Sequence, residues 1–285
     1  MSRFVADMAI NPFLLSGLVA GLLASVACGV VGPYVITRRI VFLSGAIAHI
    51  ALGGIGASIY AAYRWPETFS PLGPLAGAVL AAVVAAVVLA WLSHRAKERV
   101  DTAIGALWSV GMAAGILLIK LTPGYHTELM SYLFGNLAFV SWADVRLIAV
   151  LNAAVLLTAL LYHKRFLALC LDEEQAELQG VDTLRTDAVL LVLVALTVIT
   201  LTQVVGLILV IALLSLPAAA AARHATRLSG VIALSILLCA VLTTVPRAMV
   251  YGTRLSPESA IVLAAGLVYL LAVVTARFRH RPVEG

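Results

Sequence analysis

A single histidine lies in an apolar segment where no other side chain ionises. His49 is the only ionisable residue between Phe42 and Gly56, in the sequence FLSGAIAHIALGGIG. Neutral imidazole binds borderline divalent metals such as zinc, iron and manganese reversibly. Gly45, Gly53 and Gly56 share its helix face, at spacings of four and seven residues. Two interpretations follow: a transient metal ligand beside a close helix contact or groove, or a packed histidine bonded to a neighbouring carbonyl.

The other candidate ligands lie in loops or at the ends of apolar segments. All fourteen Asp and Glu residues are placed in this way, which argues against the buried carboxylate relays of pumps and many secondary transporters. His126 and Glu128, in the outer loop GYHTEL, either meet an incoming cation or delivery protein or are simply exposed. Four further histidines adjoin Arg or Lys, and we expect solvated side chains there: His94, His163, His224 and His280.

The chain shows no motif for catalysis or nucleotide binding. It contains no HExxH metalloprotease motif and no nucleophile elbow around a serine. It also lacks a GxxxxGK[ST] loop, so any nucleotide that drives it must bind to another chain. These observations favour a non-enzymatic role for this chain, with no stably bound cofactor.

The elements that position these residues are membrane helices. The 285 residues are 62% hydrophobic and 12% charged, with a mean hydropathy of +1.07, whereas soluble domains carry roughly 25% charged residues. Apolar runs of about 20 residues recur, and alternating strand patterns are absent, so we expect an all-α polytopic protein in the lipid bilayer. The net charge of +5 resides in loops without a basic, aromatic-rich face, which argues against nucleic acid as a partner.

The apolar runs predict eight or nine spans in one transmembrane domain over 1–285, with a polar cytoplasmic segment at about 163–187. The first run is too long for a signal-peptide core, so we expect it to be retained. Of the 19 basic residues, 13 lie on one side of this scheme, which predicts that this side is cytoplasmic. The segment 130–142 reads as interfacial or re-entrant, and the run 188–222 predicts a hairpin with its turn near TQVVG. The expected spans are 12–35, 40–63, 71–92, 102–121, 143–162, the run 188–222, 229–245 and 256–276.

Two further segments carry local signals. Asp172 is placed to cap a short helix with Gln175 three residues later, and Gly180 is placed to end it. This helix is either a solvated connector or a docking element for a cytoplasmic partner, with Leu171, Ala176 and Leu178 as possible contacts. Pro217 lies inside an apolar helix and predicts a kink that neighbouring groups relieve.

Five segments together resemble the membrane permease family of ABC importers for zinc, manganese and iron. They follow the order of that family and extend from Gly32 to Arg223, so they cover most of the chain. The segments are GPYVITRRIVFLSGAIAHIALGGIG, DTAIGALWSVGMAAGILL, LMSYLFGNLAFVSWAD, LDEEQAELQGV and VVGLILVIALLSLPAAAAAR.

The resemblance implies a homodimeric permease in a bacterial inner membrane, with two cytoplasmic ATPase subunits and an extracytoplasmic metal-binding protein. It implies that His49 faces the translocation path, lined also by Ser44, Gly45, Gly53 and Gly56. Many members carry an aspartate four residues before this histidine, where this chain has Gly45, so no carboxylate is carried over and Ser44 is the nearest substitute. The resemblance further implies a role in ATPase coupling for four residues: Asp172, Glu173, Ala176 and Gly180.

The sequence therefore predicts an ABC permease subunit for a divalent transition-metal ion (zinc, manganese or iron). Three alternatives stay open at this point. One is an ABC permease for a metal chelate such as a siderophore or cobalamin, in which more spans are expected. The others are a secondary transporter driven by an ion gradient and a membrane-embedded enzyme or scaffold.

Overall fold

The computed structural model describes residues 4, 7, 11–69, 73–94, 100–123 and 140–279. Within them the chain is α-helical and contains no strand, which confirms the predicted fold class. The predicted outer entry residues His126 and Glu128, and the segment 130–139, lie outside the described residues. The helices are α1 Pro12–Thr37, α2 Val41–Arg64, α3 Pro66–Phe69, α4 Pro74–His94, α5 Val100–Lys120, α6 Trp142–Leu171, α7 Glu173–Leu178, α8 Thr183–Val205, α9 Leu207–Ala222, α10 Leu228–Val250 and α11 Pro257–Arg279.

Eight described helices are long and apolar enough to cross a bilayer, and a ninth, Ile208–Ala222, is apolar but shorter. This number matches the prediction of eight or nine spans.

Local signals set several helix ends. Asn11 caps α1 by accepting a hydrogen bond from the backbone N–H of Phe13 at 3.0 Å, and Asp182 accepts one from Arg185 N–H at 3.0 Å at the start of α8. Gly206, with φ 83°, divides the run 188–222 within the predicted TQVVG turn.

Helix α6 continues beyond its expected end. The sequence predicts a span that ends at Tyr162, but the helix extends to Leu171. No Gly or Pro interrupts the chain between these residues, and Phe166 and Leu169 are buried. Burial on one face and uninterrupted helix formers therefore carry the helix through its basic segment, and the first break comes at Asp172.

The chain divides into two compact units. One comprises Met1–Arg39, Met130–Ala159 and Leu201–Gly285, and the other comprises Ile40–Leu129 and Leu160–Thr200. This division does not test the prediction of one transmembrane domain over 1–285, which stays a prediction.

In the second unit, glycines bring α2 close to two neighbours. A Cβ placed on Gly53 would lie 2.7 Å from the carbonyl oxygen of Gly111, and one on Gly56 would lie 2.6 Å from that of Gly115. These pairs advance together along both chains, so α2 and α5 run parallel. On α4, Ala81 lies beside Gly54 and Gly77 lies beside Ser58, so α4 is antiparallel to α2. Successive spans cross the membrane in alternating directions, so α4 should be antiparallel to α2 and α5 parallel to it, as observed.

In the first unit, a thiol replaces a lost backbone donor. Pro217 lies inside α9 and supplies no N–H to the carbonyl of Leu213, four residues earlier. The Sγ–H group of Cys239 on α10 donates to that oxygen at 3.4 Å. A neighbouring group thus supplies a donor in place of the Pro217 N–H, and α9 is one helix from Leu207 to Ala222. The kink expected at Pro217 stays a prediction.

The three cysteines differ in accessibility, which gives a direct test of this packing. Cys28 and Cys239 are fully buried, whereas Cys170 is partly exposed. Because a thiol must reach a reagent to react, we expect maleimide to label Cys170 alone in the folded protein, and all three thiols after denaturation. Mass spectrometry of the labelled peptides measures this, with Cys170→Ser as the unlabelled control. Rapid native labelling of Cys239 would contradict the packing of α9 on α10.

Candidate functional site

His49 lies in the middle of α2 and stacks on an aromatic side chain of α5. Its ring centroid is 4.7 Å from that of Trp108, with an angle of 21° between the planes. Both residues are half-buried. The stack covers one face of the imidazole and fixes its plane, because two rings in parallel contact restrict rotation about the side-chain bonds.

The imidazole has no hydrogen-bond partner within the described residues. Its Nδ1 atom is enclosed and unpartnered. The interpretation as a packed histidine requires a hydrogen bond to a neighbouring carbonyl, and no such bond is present in the described part of the chain. An enclosed polar atom without a partner costs roughly 1–3 kcal/mol.

The predicted neighbours of His49 divide into two groups. Ser44 and Gly45 are buried, and the Ser44 hydroxyl donates to the carbonyl oxygen of Val41 at 2.7 Å. Gly53 and Gly56 face the α5 backbone, so close helix packing accounts for them, and no groove is needed to explain the glycines. The role of these four residues along a translocation path stays a prediction.

Trp108 is the feature that sequence reasoning missed. The other tryptophans, Trp65, Trp91 and Trp142, lie at or near helix ends, where an interfacial position is ordinary. Trp108 lies well inside α5, and this unusual depth is the signal that could have identified it. No group of three or more His, Cys, Asp or Glu side chains suited to hold a metal occurs among the described residues.

The predicted cytoplasmic helix is present as α7. Asp172 accepts a hydrogen bond from Gln175 N–H at 3.1 Å and caps its first turn. At the other end, Val181 N–H donates to the Ala176 carbonyl and Gly180 N–H to that of Glu177, which is the Schellman pattern. The predicted cap at Asp172 and stop at Gly180 are both confirmed.

The exposed apolar side chains of this region form a candidate contact surface. Leu171 and Leu178 are 77% and 88% exposed, whereas Ala176 is buried within the chain and is not available as a contact. A groove of about 230 Å³ runs between the end of α6 and α7, and its lining includes Lys164, Leu171 and Gln175. The surface is thus mixed apolar and polar, as expected for contact with a protein partner.

Gly180 gives a test of the α7 cap. Its φ is +81° and no atom lies within 4 Å of a Cβ placed there, so a substitution meets only backbone strain. We expect Gly180→Ala to destabilise α7 by about 1 kcal/mol, and Gly180→Asn to cost less because asparagine tolerates this conformation. Amide hydrogen exchange over 172–181 measures the effect. Equal exchange in Gly180→Ala and wild type would contradict the cap.

His94 is not a solvated loop residue. It ends α4 with a side chain only 12% exposed, and its Nδ1 and Nε2 atoms lie 3.3 Å from Glu173 Oε1 and 3.3 Å from Asp187 Oδ2. The sequence expectation for His94 is therefore wrong, because two carboxylates distant in sequence meet its ring. His224 is exposed, as expected, and its Nε2 lies 3.4 Å from Thr275 Oγ1. His163 is half-buried and has contacts within the fold. His280 lies outside the described residues.

Comparison with known proteins identifies the family. The model of the ABC 3 transport family matches residues 11–276. The chain belongs to the ABC 3 transport family. This membership confirms the resemblance seen in the five sequence segments, and the ABC 3 chain is a multi-pass protein of a bacterial membrane.

The relatives of this ABC 3 chain match it over nearly full length. It is 34% identical to the "Probable metal transport system membrane protein" of Chlamydia trachomatis, over 93% of this chain and 90% of that one. It is 29% identical to the "Manganese transport system membrane protein MntC" of Listeria monocytogenes, over 93% and 91%. Among solved structures it resembles PsaBC from Streptococcus pneumoniae in complex with Fab, with a TM-score of 0.81, 29% identity and coverage of 95% and 94%.

Proposed function

We propose that this chain is the membrane permease subunit of an ABC importer for a divalent transition-metal ion. A separate cytoplasmic subunit hydrolyses ATP, two copies of the permease pair as a homodimer, and an extracytoplasmic metal-binding protein delivers the ion. Manganese is the first candidate, because relatives over nine-tenths of the chain are named for manganese transport. Zinc and iron are the further candidates.

The observation that carries this proposal is the unpartnered imidazole of His49 in a membrane helix of an ABC transport protein. A neutral imidazole is a reversible metal ligand. A closed four-ligand site would hold the ion too tightly for transport, whereas a single nitrogen allows release. We propose that the ion contacts His49 in passing as the permease opens to each side in turn, and that Trp108 holds the ring in position.

In this proposal the ATPase subunit binds to the cytoplasmic end of the permease. The capped helix α7 and the exposed side chains of Leu171 and Leu178 form a projecting contact surface. A hydrophobic pair beside the acidic residues Glu174 and Glu177 suits an apolar pocket with basic residues at its rim. The ATPase subunit is the proposed occupant.

Uptake by proteoliposomes tests the function. The permease is reconstituted with the candidate ATPase subunit, and manganese, zinc and iron are each supplied with the binding protein. We expect uptake that requires ATP, ceases when the ATPase carries an inactive P-loop, and persists with an uncoupler. Uptake that the uncoupler abolishes without need for ATP would favour a gradient-driven transporter, and uptake of a chelate alone would favour a chelate permease.

A further inference from the structure

We propose that His94 is a positioning residue that ties the coupling helix α7 to the membrane helices α4 and α8. The inference rests on the proposed function for its consequence, since α7 is there the contact with the ATPase. It goes beyond that function because it names the link through which movement of α7 would reach two membrane helices.

The geometry of this link, which we call the His94 bridge, comprises His94, Glu173 and Asp187. His94 is the last residue of α4, Glu173 is the first residue of α7, and Asp187 lies in the second turn of α8. Each carboxylate oxygen is 3.3 Å from a ring nitrogen, and the Asp187 side chain is only 6% exposed against 42% for Glu173. One imidazole on α4 thus contacts two further elements, α7 and α8, that are distant from it in sequence.

Both contacts are hydrogen bonds at the same time only when the ring is protonated. A neutral imidazole carries one N–H, so it donates to one carboxylate and turns a lone pair toward the other. An imidazolium donates to both, and such charge-assisted bonds are the stronger kind. The bridge therefore holds α7 most firmly with His94 charged.

Most of the described charged groups around the bridge are acidic. A cavity of about 750 Å³ beside His94 is lined by Glu173 and Glu177 of α7, by Asp182 and by Arg185. Asp187 adds a further carboxylate. Arg185 pairs with Asp182 at 2.9 Å and is 85% exposed, so it offsets that carboxylate and not the bridge.

A shared metal ion does not explain this arrangement. The two ring nitrogens point to opposite sides of the imidazole, so one ion cannot bind both. Among the described residues, no group of three or more His, Cys, Asp or Glu side chains is arranged to hold a metal ion, and this includes the bridge. Protonation is the chemistry that satisfies both carboxylates.

Hydrogen exchange of the purified permease tests the bridge without the ATPase. We expect His94→Ala to speed amide exchange over 173–181 by about three- to tenfold, because a charge-assisted hydrogen bond to α7 is lost. His94→Arg retains two donors and should exchange nearly as wild type. Asp187→Asn, which keeps the shape of the side chain, provides a second variant and should give a smaller increase. His224→Ala, at an exposed histidine outside the bridge, is the matched control and should exchange over 173–181 as wild type.

Transport stoichiometry tests the consequence. With the ATPase subunit present, we expect His94→Ala to keep hydrolysing ATP while metal transported per ATP falls by about fivefold. In wild type this ratio should fall when a rise in pH removes the imidazolium proton, whereas His94→Arg should show little dependence.

The outcomes separate the two proposals. Unchanged exchange in His94→Ala and in Asp187→Asn would overturn the bridge, whatever the function. Faster exchange with unchanged transport per ATP, or equal losses in His94→Ala and His94→Arg, would overturn the positioning role alone. Failure of the wild-type permease to bind the ATPase would overturn the proposed function and the positioning role together, and the exchange result would still stand.

Discussion

Replacing His49 with alanine is expected to lower metal uptake by about tenfold or more. Loss of a residue that supports metal binding in a protein site commonly has an effect of this size. The substitution removes the sole ionisable side chain of the segment Phe42–Gly56. The permease should still assemble with its ATPase, because the ring makes no hydrogen bond that supports the fold in the described residues. The initial rate of uptake by proteoliposomes measures the first effect, and co-purification measures the second.

Two variants on α5 make this result specific. Trp108→Leu keeps the imidazole but removes the stacked ring, so an intermediate loss of uptake is expected. Gly105→Ala, where no atom lies within 4 Å of the added Cβ, should transport as wild type. Normal uptake by His49→Ala would remove His49 from the mechanism, and the transport function would then depend on family membership alone.

Gly53→Ala is expected to cause a large loss of stability for a single added methyl group. The new Cβ would lie 2.7 Å from the Gly111 carbonyl oxygen, a backbone atom that cannot rotate away. Separation of α2 from α5 relieves the overlap but forfeits close packing, at a cost of about 1–3 kcal/mol. Thermal unfolding of the detergent-solubilised permease, followed by tryptophan fluorescence, measures this effect, and the pair Gly53→Ala with Gly56→Ala should lose more.

The same substitution at an open position provides the control. Gly105→Ala, also on a helix of this contact, should be neutral or stabilising by about 0.5–1 kcal/mol, because alanine favours the helix. A Gly53→Ala protein as stable as wild type would show that α2 and α5 are not held at backbone contact. The parallel register between His49 and Trp108 would then lose its support.

Features that depend on neighbouring residues in sequence were predictable. The caps at Asp172 and Gly180 and the break at Gly206 depend on side chains and backbone preferences within a few residues. The spans follow from the length of apolar runs, which a bilayer fixes within a few residues. The glycines beside His49 indicated either a close backbone or a groove, but they did not decide between these or show which helix lies there.

Features that depend on tertiary contacts were not predictable. His94 reads as a loop residue because it precedes a basic segment, yet its environment is set by Glu173 and Asp187, about 80 and 90 positions away. Trp108 reads as one more apolar side chain until α5 is placed beside α2. The predicted end of α6 was wrong because hydropathy indicates only where the apolar, lipid-exposed segment ends. A helix can continue beyond that point as long as its backbone hydrogen bonds form and one of its faces is buried.

Helix α7 has a consequence for association that follows from its capped ends. Six residues are too few for a helix to persist in water unaided, but here both termini are closed by hydrogen bonds from the chain itself. A cytoplasmic subunit that docks there meets a recognition element already in its final shape. Little conformational entropy is then lost on docking, so the affinity derives from side-chain contacts and not from induced folding.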